Sequence, residues 1–206
     1  MYAGQFHFYG EKEQSQGQLI EVINREFSPP IPQIEQGMCY MLAIQFLLDY
    51  LKDPKGASPE GTFDHITADK AYLRQIAGNF REYSDHGTLL PVPESTQRYV
   101  DLLSRTRSEA RLLANFSTRS IDRPAIDNPA RGHLVIFYFQ NESGTKTFGH
   151  AVAVVRDQDT HCLYDPNFGI YRTKNPDDIY LGVLPMIYNP RYLEGSIYAI
   201  NKRKLD

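Results

Sequence analysis

From His133 onward the chain is a succession of short apolar, β-branched and aromatic runs separated by brief polar turns, and this pattern constrains the fold more than any other feature. His133–Gln140, Phe148–Arg156 and His161–Asp165 read as strands, with Asn141–Gly144 and Asp157–Thr160 as the turns between them. Gly169–Arg172 and Ser196–Ile200 read as further strands. Connections this short join antiparallel neighbours, because a parallel pair needs a crossover of roughly a dozen residues. Ahead of this region the texture is helical. Gln36 to Lys52 spans about four turns, with its polar positions Gln45, Asp49 and Lys52 on one narrow stripe. Everything else on it is apolar, which predicts a helix buried over most of its surface and stopped at Asp53-Pro54-Lys55-Gly56. Thr67 to Tyr83, opened by Thr67 or Asp69 and carrying Ala71, Ile76 and Phe80, reads as a second helix. Pro93 to about Asn115, burying Tyr99, Leu103, Ala110 and Leu113, reads as a third, followed by a loop over Ser117–Arg131 with Pro124 and Pro129. Helices first and an antiparallel sheet afterwards predict the α+β class.

The chain has 206 residues, 41% hydrophobic and 23% charged, a balance that suits one packed domain rather than a disordered chain. A net charge of −3 and a pI near 6.1 give no broad electrostatic grip on nucleic acid. Lys202-Arg203-Lys204 reads as a solvated tail. No run approaches the ~18 consecutive apolar residues of a membrane span. The first residues lack both a basic n-region and an apolar h-region, which argues against a classical signal peptide and leaves specialised export open. Residues 1–32 are Gln/Gly-rich, then amphipathic over Leu19–Phe27, then stiff at Ser28-Pro29-Pro30-Ile31-Pro32. They read as an arm ahead of a domain over 33–206. The two cysteines, Cys39 and Cys162, lie in a helix start and in a strand, and read as free thiols.

A thiol attacks a carbonyl carbon as the thiolate, which a helix N-terminus or a neighbouring imidazolium favours. Cys39 sits in the first turn of the buried helix just after Gly37, where backbone N–H groups and the macrodipole favour negative sulfur and can face an oxyanion. His150 lies early in a strand between Gly149 and Ala151, small residues that leave room for substrate and for a closely packed helix. Asp165 closes the next strand, 15 positions later, at a distance that lets a hairpin set imidazole beside carboxylate and fix the ring's tautomer. Each residue has an ordinary reading by itself: Cys39 as a core residue, His150 as a satisfied semi-buried histidine, Asp165 as the cap of an Asp-Pro-Asn turn. The three together point to nucleophilic acyl transfer.

Gln36-Gly37-Met38-Cys39, Gly149-His150-Ala151-Val152-Ala153-Val154 and Leu163-Tyr164-Asp165-Pro166-Asn167-Phe168-Gly169 resemble the motifs of the YopT/AvrPphB-type cysteine proteases, over roughly residues 33–172. The resemblance implies a papain-like fold, with helices packed on an antiparallel sheet and the nucleophile at the N-terminus of a buried helix. It implies proteolysis of a protein substrate through an acyl-enzyme, with Cys39 as nucleophile, His150 as base and then acid, and Asp165 as orienter. It also implies a bacterial effector exported into another cell, residues 1–32 as a pro-segment ahead of a catalytic domain over 33–206, and an amide side chain upstream of the nucleophile in the oxyanion hole. Gln33 and Gln36 are both candidates for that amide. The same triad would serve a glutamine deamidase or transglutaminase-like effector, and a non-catalytic binding module could keep the same fold.

Other residues carry less. His133, His161, Cys162 and Asp165 lack metal-ligand spacing, and no Gly-rich phosphate loop is present, so neither metal nor cofactor is expected. Cys162 reads as a packed sheet residue. Tyr188, Tyr192 and Tyr198 could rim a substrate groove or pack against the sheet.

Overall fold

The computed structural model describes residues 7–9, 15–26, 38–53, 57–85, 108–117, 120–121, 132–140, 143–184, 188 and 193–202. In chain order the elements are β1 (His7–Tyr9), α1 (Gln16–Glu26), α2 (Cys39–Lys52), α3 (Pro59–Ala68), α4 (Lys70–Asp85), β2 (Ser108–Ser117), β3 (Ser120–Ile121), β4 (Gly132–Gln140), β5 (Thr147–Asp157), β6 (Thr160–Asp165), β7 (Gly169–Thr173) and β8 (Leu193–Lys202). A helical turn, Pro176–Asp178, runs into a π-helix, Ile179–Val183, between β7 and β8. The strands form one antiparallel sheet in the order β1-β7-β6-β5-β4-β8-β2-β3. The class is α+β.

The apolar runs of β4 and β5 are continuous rather than alternating, and the reason is that both faces of the sheet are covered. On one face Leu134, Ile136, Ala151, Ala153, Val155, Cys162, Tyr164, Tyr198 and Ile200 pack against α2, whose Met41, Leu42, Ile44, Phe46 and Leu47 are fully buried. On the other, Val135, Phe137, Val152, Val154, Leu163 and Ile197 pack against Ile179, Tyr180, Val183, Leu184 and Tyr188. Alanines at 151 and 153, directly under α2, let the helix approach β5 closely. Gln45, on the polar stripe of α2, is itself buried and bonds Asp49 and the Tyr72 hydroxyl of α4.

Two sequence expectations change. The segment predicted as the end of a helix reaching Asn115 is instead strand β2, paired along its length with β8, while residues 93–107 lie outside the described residues. Ser108-Glu-Ala-Arg-Leu-Leu-Ala-Asn-Phe-Ser satisfies either periodicity, and pairing with β8 outweighs its helical propensity. Part of the predicted loop, Ser120–Ile121, adds a short strand to β2. Helix α3, unassigned by periodicity, starts on a Ser58 cap that accepts from Gly61 N at 3.0 Å, with Pro59 in the first turn. Asp69 separates it from α4 and caps that helix through Tyr72 N.

Two described parts of the N-terminal segment meet this architecture. β1 extends the sheet beyond β7, with His7 opposite Arg172 and Tyr9 opposite Ile170. Leu19 and Ile23 of α1 are buried in the same core as α2.

Candidate active site

Helix α2 begins at Cys39 without a side-chain cap. Its first intrahelical bond runs from Leu42 N to Met38 O, so the N–H groups of the first turn point out of the helix end toward the sulfur and whatever it attacks. The β5–β6 ladder starts only at Ala153–Tyr164. Upstream of Ala153, the edge of β5 is therefore clear of β6, and the first turn of α2 meets it there: the backbone of Ala151 and the side chain of His150 both hydrogen-bond to Cys39.

His150 is buried in the middle of the protein layer, and its Nε2 lies 2.9 Å from Asp165 Oδ1. A carboxylate can only accept, so Nε2–H donates and Nδ1 is left for the sulfur. Asp165 is fully buried at the end of β6. The turn after it explains why: Phe168 N bonds Asp165 O at 3.0 Å, Asn167 N bonds Asp165 Oδ1 at 2.9 Å, and Gly169, at φ +101°, supplies the left-handed residue that starts β7. The Asp-Pro-Asn-Phe-Gly motif thus aims one carboxylate oxygen at the imidazole. The second oxygen, Oδ2, accepts from the Tyr188 hydroxyl at 2.7 Å.

The electrostatics follow. Burial raises the Cys39 thiol, but the charge and hydrogen bond of His150 and the backbone of Ala151 and Tyr40 outweigh it, and the pKa falls below 9.0. Burial opposes the imidazolium of His150, yet the charges of Asp165 and Cys39 and their hydrogen bonds raise it from 6.5 to about 10. Both shifts run in the direction that favours a thiolate–imidazolium pair. Cys162 is the internal contrast. It is fully exposed to none of this: burial against α2 pushes its thiol up to about 12. Both cysteines are free, and only Cys39 is activated.

Aromatic rings enclose the imidazole. Phe137 meets it edge-on at 5.5 Å, and Tyr188 lies tilted across it at 5.0 Å. Phe148, one strand repeat before His150, and Phe168, in the Asp165 turn, are 44% and 43% exposed, so the imidazole side of the site opens onto apolar surface. Tyr198 packs in the core on the α2 face, and Tyr192 lies outside the described residues, as do Gln33 and Gln36. His133, His161 and Cys162 do not gather: among the described residues no three metal-binding side chains form a cluster. Tyr188 is the site residue whose contact with the triad the sequence conceals, because it stands 23 positions beyond Asp165 with no motif around it.

No protein-family model matches the chain, and no curated protein matches it. Solved structures similar to it include the Pseudomonas avirulence protein AvrPphB, at 13% identity and a TM-score of 0.49 over 80% of this chain and 93% of that one. Another is the ubiquitin-specific protease encoded by murine cytomegalovirus tegument protein M48, in complex with a ubiquitin-based suicide substrate, at 8% identity and a TM-score of 0.44 over 98% of this chain and 88% of that one. Among the described residues no helix is long and apolar enough to cross a membrane.

Proposed function

We propose that the chain is a papain-like cysteine endopeptidase that cleaves a protein substrate through a thioester on Cys39, with His150 as acid and base and Asp165 as its orienter. The observation that carries this reading is the hydrogen-bonded series Cys39–His150–Asp165 at a helix N-terminus, with the thiol driven down and the imidazole driven up. The Cys39 thiolate attacks the carbonyl carbon of the scissile amide. The oxyanion that forms faces the first-turn N–H groups of α2 and the positive end of its dipole. His150 passes its proton to the leaving amine as the C–N bond breaks, leaving an acyl-thioester and a neutral imidazole. That imidazole then takes a proton from water as the water attacks the thioester, and expulsion of the thiolate restores the ion pair. Asp165 holds the ring in the tautomer that presents Nδ1 to sulfur, and stabilises the imidazolium throughout.

Gln33 and Gln36 stand just upstream of the nucleophile and are candidate side-chain donors to the same oxyanion. The motif resemblance extends the reading to an exported effector acting on a protein of another cell; translocation of a reporter-fused chain into that cell tests this part. The chemistry is tested by incubating host-cell lysate with the wild-type protein and with Cys39→Ala. New protein fragments with the first and none with the second are expected. Equal activity of the two overturns the reading, and a mass change without chain scission moves it to side-chain amide hydrolysis.

A further inference from the structure

Three segments carry the triad, and a fourth touches it. We propose that Tyr188 is a positioning residue of this site, locking the Asp165 carboxylate through Oδ2 and closing the His150–Asp165 bond against water. The inference rests on the proposed cysteine-protease reading and adds a residue to it.

A carboxylate turns about its last torsion in a broad, roughly two-fold well, so one hydrogen bond from a histidine does not fix its plane. Asp165 has donors on both oxygens. Oδ1 takes His150 Nε2 and Asn167 N, each at 2.9 Å, and Oδ2 takes the Tyr188 hydroxyl at 2.7 Å. Without Tyr188, Oδ2 is an oxygen of a fully buried carboxylate that loses its donor, a costly place for negative charge. The tyrosine hydroxyl is itself oriented, because Asn167 Nδ2 lies 3.4 Å from its oxygen on the acceptor side. Burial and the Asp165 charge raise the phenol strongly, so it keeps the proton it donates.

The ring does the second part. It lies 5.0 Å from the imidazole and is pinned by Phe137 at 5.0 Å, Phe139 at 4.8 Å and Phe168 at 6.1 Å. Only 5% of Tyr188 is exposed, so the hydrogen bond beneath it is shielded. Tyr188 N bonds Leu184 O at 2.9 Å, tying the residue to the buried end of the π-helix rather than to a triad strand. Among the described residues, the Asp165 charge also reaches Tyr164 of β6 and Tyr171 of β7, and burial raises both of these tyrosines, so both keep their protons near neutrality.

The test needs no substrate. Iodoacetamide alkylation of Cys39, followed by peptide mass mapping across pH, reads the thiolate–imidazolium pair directly. In the wild-type protein Cys39 is alkylated at acid pH while Cys162 is not; absence of that selectivity overturns the ion pair and this inference together. Tyr188→Phe keeps the ring and removes the hydroxyl. It should slow Cys39 alkylation at mildly acid pH by roughly tenfold, the equivalent of a shift of about one pH unit. Tyr180→Phe, a buried phenol of the same layer away from the triad, should leave the profile unchanged, which separates positioning from general loss of packing. Because Tyr188 acts through Asp165, adding Tyr188→Phe to Asp165→Asn should cost nothing further. A wild-type profile in Tyr188→Phe, or additive losses in the double variant, overturns the role of Tyr188 and leaves the triad reading standing.

Discussion

Cys39 and His150 are tuned against each other inside the fold, so each group's titration carries the other's charge. The thiol is lowered from its ordinary 9.0 and the imidazole is raised from its ordinary 6.5 to about 10. Burial works against the imidazolium, and the charges and hydrogen bonds of Asp165 and Cys39 outweigh it. A histidine raised in this way stabilises the fold fully below 6.5 and loses that contribution as pH rises through about 10. Cys39→Ala takes away the sulfur's charge and hydrogen bond, so the His150 ring should titrate below about 10, followed by NMR of its ring protons. An unmoved titration would mean that the two residues do not share a proton. For turnover, His150→Gln should lower kcat by roughly 10²- to 10⁴-fold, measured on whichever protein fragment the wild-type protein releases. That Cys39, His150 and Asp165 come together was legible in the sequence because each sits on a local signal: a helix start, a Gly-flanked strand position, an Asp-Pro-Asn turn. Tyr188 has none. Its place is set by how the π-helix packs over the sheet, which no spacing encodes.

At the scale of elements, the site depends on how tightly β8 runs beside β4. Gly195 stands opposite Phe137, and Phe137 in turn stands opposite His150. A Cβ at position 195 would fall onto the carbonyl oxygen of Ile136 and come within 2.7 Å of Phe137 Cβ, all on rigid backbone or at its root. Gly195→Ala should therefore force the two strands apart at the register position that presents Phe137 to the imidazole. A cost of about 2 kcal/mol is expected, lowering Tm by roughly 4–8 °C, with loss of activity exceeding the unfolded fraction. A variant with wild-type Tm would show that β8 can give way without cost. The same strand explains the helix that became β2. Ser108–Ser117 lies along β8 through a bulge between Leu112 and Ala114, and a sequence read in isolation cannot know that a final strand, more than 70 positions later, waits for a partner. The hairpin strands β4 to β7 were legible for the opposite reason: their partners are their sequence neighbours.

For the whole molecule, the status of the first 32 residues decides what the working molecule is. A removable pro-segment should leave a complete core behind it. The described parts of this segment are joined to the rest twice, by β1 on the edge of β7 and by Leu19 and Ile23 in the core that α2 and α4 share. Ile23 is 1% exposed and Leu19 3%. Truncating either to alanine removes buried methyl groups and leaves a cavity, at about 2–5 kcal/mol each if the segment is part of the cooperative unit. An arm that docks and undocks freely would transmit almost none of that to the rest of the fold. The measurement is the urea midpoint of Ile23→Ala, followed by tyrosine fluorescence, alongside N-terminal sequencing of the purified protein. A lowered midpoint in an intact chain makes α1 a structural part of the working molecule. An unchanged midpoint, or a mature N-terminus near position 33, makes the first 32 residues a segment the rest of the chain can lose, with the core that Leu19 and Ile23 fill closed by other groups.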